Sequence, residues 1–190
     1  MKKLLCSLIV ILGIFSVSFA KENFVSFSAG LSSGIPFYGT DSVPESMSTI
    51  NTDHRVIIGA LTSININVIK QITFFGGGDI LADFNWKDTS YAHHLHVSFP
   101  LGIKVYPGIG GLNLGLSYNL GFRSDFSKTI SGKQSNIAAW GNGFRLSVEY
   151  NFAHEGKSKY LPSIGCNWNF MPRGDNSYDN RIVFYITENF

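Results

Sequence analysis

From Leu112 to Arg123 the chain reads Leu-Asn-Leu-Gly-Leu-Ser-Tyr-Asn-Leu-Gly-Phe-Arg. Every even position is apolar or aromatic, and every odd one is Gly or polar. Successive side chains of a strand point to opposite faces, so this segment has one apolar face and one polar or small face. It runs about twice the length of an average soluble strand. It matches the ~9–11 residues with which a tilted strand crosses the hydrocarbon of a membrane.

Seven other segments follow the same rule. Glu22 to Ser33 alternates around Val25, Phe27, Ala29 and Leu31. Arg55 to Ile69 sets Val56, Ile58, Ala60, Ile64, Ile66 and Val68 against Ser63, Asn65 and Asn67. Ile72 to Trp86 carries Asp79, Asp83 and Asn85 on its polar face, and its Gly76-Gly77-Gly78 run points to a bend or bulge. Ala92 to Val105 opposes Leu95, Val97, Phe99, Leu101 and Ile103 to His94, His96, Ser98 and Lys104. Trp140 to Phe152 opposes Phe144, Leu146, Val148 and Tyr150 to Arg145, Ser147, Glu149 and Asn151. Leu161 to Phe170 and Arg181 to Phe190 complete the set. Eight is an even number, as single-chain outer-membrane barrels require, and closure removes the edges an open sheet would expose. The expected fold is all-β, an eight-stranded antiparallel up-and-down transmembrane β-barrel over residues 21–190.

The start of the chain reads as a cleaved signal peptide over residues 1–20. Lys2 and Lys3 precede an apolar run from Leu4 to Phe15, and Ser18-Phe19-Ala20 places small residues where a peptidase needs them. Cys6 leaves with that segment, so Cys166 is the lone cysteine of the mature chain and no internal disulfide is expected. Charged residues make up only 15%, aromatics 14%, and the formal net charge is +2. No Lys or Arg block suggests a nucleic-acid partner. The expected location is a bacterial outer membrane, with the lipid bilayer as surroundings.

The connections after odd strands are expected to be long outer loops and those after even strands short periplasmic turns. The segments from Gly34 to His54 and from Ser124 to Ala139, rich in Ser, Thr, Asn and Gly, are the candidates for an extracellular ligand. Phe37, Tyr38, Trp86, Tyr91, Phe126, Trp140 and Phe170 are expected near the outer membrane interface. Phe24, Tyr106, Phe152, Tyr160 and Phe190 are expected near the inner one.

Ile182, Phe184, Ile186 and the terminal Phe190 resemble the closing strand of outer-membrane barrels, although Glu188 stands where that family has another apolar residue. The resemblance is to small barrels of the OmpA, OmpX and OmpW kind. It implies recognition of this strand by the outer-membrane assembly machinery. The composition, rich in Asn, Ile, Lys and Phe, is similar to that of small spirochaetal outer-membrane proteins of unknown function.

With apolar residues toward lipid, the interior receives Asp79, Asp83, His94, His96, Lys104, Arg123, Arg145 and Glu149. An eight-stranded barrel is narrow enough for side chains to fill, and buried charges must pair. The third-strand acids are expected to face a basic side chain of the fourth strand. This favours a non-enzymatic barrel with a structural or surface-interaction role. A narrow, porin-like channel for small or hydrophobic solutes is what the OmpW resemblance implies instead. His96 and Ser98 resemble the His-x-Ser arrangement of outer-membrane lipid A deacylases, in which His activates Ser. Here they point inward, away from lipid, and Phe99 replaces the Asn that follows in that family. His94 and His96 with Asp79 or Asp83 offer zinc-ligand types, but a polar interior satisfies histidines by hydrogen bonds; neither metal nor cofactor is expected. A soluble, exported barrel of lipocalin type has the same period with its apolar face inward. The polar face argues against it, because it carries few charges for a surface in water.

Overall fold

The computed structural model describes residues 24–38, 53–129, 132–153, 161–172 and 178–190. The leader assigned to residues 1–20 and the aromatic Tyr160 lie outside them. Eight strands form one closed barrel: β1 (Val25–Tyr38), β2 (His54–Ile69), β3 (Ile72–Lys87), β4 (Ser90–Val105), β5 (Leu112–Thr129), β6 (Gly132–Asn151), β7 (Ser163–Pro172) and β8 (Tyr178–Asn189). Each is antiparallel to the next, and β8 pairs with β1 to close the ring. Phe27 and Phe190 exchange both backbone hydrogen bonds, at 3.1 and 2.8 Å, at the last rung of that seam.

Alternation decides the two faces. Leu114, Leu116, Tyr118 and Leu120 of β5 point out and are exposed, whereas Asn113, Ser117 and Asn119 point in and are buried. Ile58 and Ile64 of β2, Phe99 and Leu101 of β4, Leu146 and Val148 of β6, and Phe184 and Ile186 of β8 continue the apolar exterior. The buried residues of the barrel are mostly polar or charged. This inverts a water-soluble protein, and it removes the lipocalin-type alternative, whose apolar face would line the lumen.

The strands are longer and the outer connections tighter than the sequence suggests. Only Asp88 and Thr89 separate β3 from β4, and only residues 130 and 131 separate β5 from β6. The segment from Ser124 to Ala139 is therefore a strand pair and not a loop. Its polar composition imitates a loop, but its rungs run from Arg123↔Ala138 to Thr129↔Gly132. Gly34 to Tyr38 likewise continues β1, and residues 39–52 lie outside the described residues. The inner end has a tight turn after Ile69, the Tyr106–Gly111 turn, and the chain from Phe152 to Pro162. Loop length thus does not distinguish the ends; the extension of the strands does.

The Gly76-Gly77-Gly78 run stays in register: Gly76 pairs with Leu101 and Asp79 with Ser98. The ladder lapses there opposite Pro100, which has no N–H to give. The glycine at 77 serves a close approach instead, since a Cβ would stand 2.0 Å from the Thr62 carbonyl oxygen. The register shifts elsewhere, between Asn67 and Ile69 of β2 and, as a bulge in β6, where Gly121 faces Gly141 but Arg123 faces Ala138. The extra β6 residue flips the parity of that strand above Gly141. Trp140 sits at this bulge against Phe122 (5.3 Å) and Phe99 (6.3 Å), partway along the wall and not at a strand end. Tyr38 is at the outer end but points into the lumen.

A charge on the outer face tests the placement of that face. Leu116→Arg at mid-strand should lower stability by about 2–4 kcal/mol in lipid vesicles, read from urea unfolding. A loss under about 0.5 kcal/mol, the scale of ordinary surface substitutions, would show that this face does not meet hydrocarbon.

Candidate functional site

The inward faces build three stacked polar layers. In the layer nearest the outer end, Asp83 of β3 is fully buried. It accepts hydrogen bonds from Arg55 Nε (2.9 Å) and Nη2 (2.8 Å), Asn85 Nδ2 (2.8 Å) and the Tyr38 hydroxyl (2.8 Å). With its proton committed to Asp83, the Tyr38 oxygen is left to accept from His96 Nε2 at 3.1 Å. The Tyr38 ring lies 4.7 Å from that of His94, stacks on His96 and covers the Arg123 guanidinium at 5.2 Å. Asp125 of β5 takes Arg123 as a fork, at 2.7 and 3.1 Å, and takes His94 Nδ1 at 2.7 Å. The remaining edge of Arg123 donates to Asp179 of β8.

The middle layer centres on Asp79. Arg145 of β6 donates to it, and Arg181 Nη1 of β8 stands 3.6 Å away. Ser98 Oγ donates to Asp79 at 2.7 Å and accepts from Arg181 Nη2 at 2.8 Å. Arg145 Nε donates to Asn169 Oδ1 at 2.5 Å, which also accepts from Asn119 at 3.0 Å. The innermost layer centres on Glu149. Both of its oxygens accept from Lys104 Nζ at 3.1 Å, while Asn113 and Tyr185 each donate to it at 3.0 Å.

The eight residues read as interior from the sequence all line the lumen, but in three groups. Asp83, His94, His96 and Arg123 belong to the first layer, Asp79 and Arg145 to the second, and Lys104 and Glu149 to the third. Of the third-strand acids, Asp83 stands opposite the fourth-strand His94 while Asp79 stands opposite Ser98, and Lys104 faces Thr73 near the other end of β3. Sequence reasoning passed over Arg55, Asp125, Asp179 and Arg181. The parity rule reaches all four once the strands are given their full lengths, because each shares the odd positions of its strand's polar face.

Ser98 lies in the lumen between Asp79 and two guanidinium groups, and it is 1% exposed. Those bonds hold its hydroxyl in place; the proton that a nucleophile would give to His96 is directed to Asp79 instead. His94 and His96 are bonded to Asp125 and Tyr38, and no group of three or more metal-ligating side chains occurs among the described residues.

No known family's sequence profile matches the chain, and neither does any curated protein. Solved structures match. Ail, the attachment invasion locus protein of Yersinia pestis, solved with the heparin analogue sucrose octasulfate, is similar at a TM-score of 0.60 and 10% identity. That match covers 87% of this chain and 97% of Ail. Neisserial surface protein A is similar at a TM-score of 0.53 and 10% identity, with the same coverages of 87% and 97%. The fold is that of the small eight-stranded outer-membrane barrels. At this identity the likeness speaks for the fold alone.

Arg123 joins two buried acids, Asp125 and Asp179. Arg123→Met should leave Asp125 and Asp179 short of a partner and cost about 3–5 kcal/mol in urea unfolding. Adding Asp179→Asn should restore part of that loss. A double variant no more stable than the single one would mean that the pair does not act as a unit.

Proposed function

We propose that the chain is a non-enzymatic outer-membrane barrel, exported behind a cleaved leader, whose lumen is a structural plug and whose outer end serves surface interaction. One observation carries this reading: at the level of Asp79 the lumen is occupied by the bonded side chains of Arg145, Arg181, Ser98 and Asn169. A solute path would have to break buried ion pairs there, which supports a plug over a channel. The inward-facing, ion-tethered Ser98 supports a non-catalytic role in the same way.

The outer end supports the surface role. β6 pairs with β7 only from Phe144↔Phe170 to Asn151↔Ser163, yet it pairs with β5 up to Gly132. Seven rungs, Arg123↔Ala138 to Thr129↔Gly132, thus stand beyond the bulge, where β5 stays in the wall against β4 up to Tyr91↔Lys128 and β6 is the edge. Among the described residues no strand covers the other side of Lys133–Ile137, so its backbone groups are open to an added strand. A polyanionic glycan is the second class of partner to try, since Ail was solved with a heparin analogue.

Two outcomes are expected. In planar bilayers the purified protein should show no conductance steps; regular steps that Arg145→Ala enlarges would make it a channel. Replacing residues 127–134 by Asn-Gly, a favoured two-residue hairpin turn, should keep the heat-dependent shift in electrophoretic mobility. The same change should sharply reduce the adhesion of expressing cells to protein-coated and heparin-coated surfaces. Unchanged adhesion would remove the open β6 edge from the proposal.

A further inference from the structure

At the end of the barrel that carries Phe24 and Phe190, the lumen opens into a cup of about 500 Å³. The Lys104–Glu149 pair forms its floor, with the plug beyond. A volume of this size is in the range of small-ligand sites, about 300–1,000 Å³. Asn65 and Asn67 of β2, Asn151 of β6, Asn189 of β8, Thr73 of β3 and Ser26 of β1 make the wall polar.

The wall's own hydrogen bonds do not exhaust these groups. A primary amide offers two donors and a carbonyl acceptor. Asn151 uses its carbonyl on the Ala153 N–H at 2.9 Å, and Asn189 uses an N–H on Ser163 Oγ at 3.0 Å. The Asn151 amide also gives an N–H to the Tyr106 oxygen, which leaves it one donor, and Asn189 keeps its carbonyl acceptor. Such a mixed set complements hydroxyl and acetamido groups, each of which both gives and takes hydrogen bonds. Ile69, Ala153 and the Tyr106 ring add apolar contact. Burial, with Glu149 nearby, pushes the Tyr106 phenol up to about 12, so it remains a neutral donor at physiological pH.

Charge narrows the ligand further. Two cations, Lys70 and Lys104, and one anion, Glu149, line the cup. Lys104 is held by Glu149, whereas Lys70, on the turn at the mouth, has no ion-pair partner among the described residues. The excess is one positive charge, placed where an entering ligand would pass it.

We propose that this cup binds an acidic glycan bearing N-acetyl groups, with its carboxylate toward Lys70 and its acetamido and hydroxyl groups on the asparagines. With this end toward the periplasm, as in the function proposed above, cell-wall glycan is the source within reach. The chemistry of the cup itself does not depend on that orientation.

The test titrates the full barrel, purified from membranes into detergent, with muramyl dipeptide and separately with neutral di-N-acetylchitobiose, by calorimetry. Saturable binding of the acidic probe is expected, at least about tenfold tighter than the neutral one. Lys70→Glu, on an exposed turn, should weaken it by about tenfold, and Asn151→Ala should weaken it severalfold. The heat-dependent mobility shift serves as the check that each variant is folded. No saturation up to millimolar probe, equal binding of the two probes, or unchanged affinity in Lys70→Glu would overturn the proposal. Co-sedimentation of the barrel with isolated sacculi would make the polymer the ligand. Saturable binding without it would make soluble wall fragments the ligand. Conductance and adhesion do not enter the titration, so its failure leaves the preceding reading standing.

Discussion

The structure rests on one constraint: charges enclosed by a wall that faces hydrocarbon must neutralise each other inside. Asp79, Asp83, Asp125, Asp179 and Glu149 are matched in number by Arg55, Lys104, Arg123, Arg145 and Arg181. Four of those five cations are arginines. A planar fork holds two oxygens at once and can bridge two acids, as Arg123 does between Asp125 and Asp179. All eight strands contribute side chains to the layers described, with Tyr38 of β1 and Arg181 of β8 reaching in from either side of the closing seam. The plug is therefore a tie across the barrel as well as a filling. It couples the last strand to the third and fifth, contacts that neighbouring-strand pairing alone cannot supply.

Filling a narrow lumen with arginines demands room elsewhere on the wall. At Gly143 a Cβ would stand 1.9 Å from the Phe170 carbonyl oxygen, so small residues there let the wall itself close up. The bulge between Gly121 and Arg123 answers a different need. Below it, odd positions of β6 face the lumen and deliver Arg145 and Glu149. Above it, the parity changes, and β6 stays paired with β5 but no longer with β7. One extra residue thus separates the part of β6 that reaches pairing on both sides from the part that is paired with β5 alone.

Much of this was legible in the sequence because a period of two survives without any knowledge of partners. Eight alternating segments gave the strand number, and their parity placed Asp79, Asp83, His94, His96, Lys104, Arg123, Arg145 and Glu149 on one face. Register was not legible. It alone decides that Lys104 meets Glu149 and that Asp83 meets Arg55 and Tyr38. The strand ends were also hidden. Above the bulge Lys133-Gln134-Ser135-Asn136 is polar on both faces, as a strand in water is free to be, and such a run cannot be told from a loop by hydropathy. Asp125 was lost with that segment although it continues the odd positions of Arg123. Tyr38 was misread for the opposite reason: an aromatic at a strand end suggests a membrane interface, and only its parity shows that it points inward.

On the reading proposed above, a plugged lumen leaves a barrel with two ends that do not communicate. Solute traffic would require one continuous polar path, and the Asp79 layer interrupts it. Each end is then free to take its own chemistry, constrained only by what it faces. The outer end extends paired backbone with an open edge, suited to extended partners. The inner end keeps amides, hydroxyls and a free ammonium around a cavity, suited to a compact polar ligand. Such a division would let a small barrel tie the cell surface to the layer beneath it without opening the membrane. In that arrangement the ion pairs contribute to function by holding the passage shut.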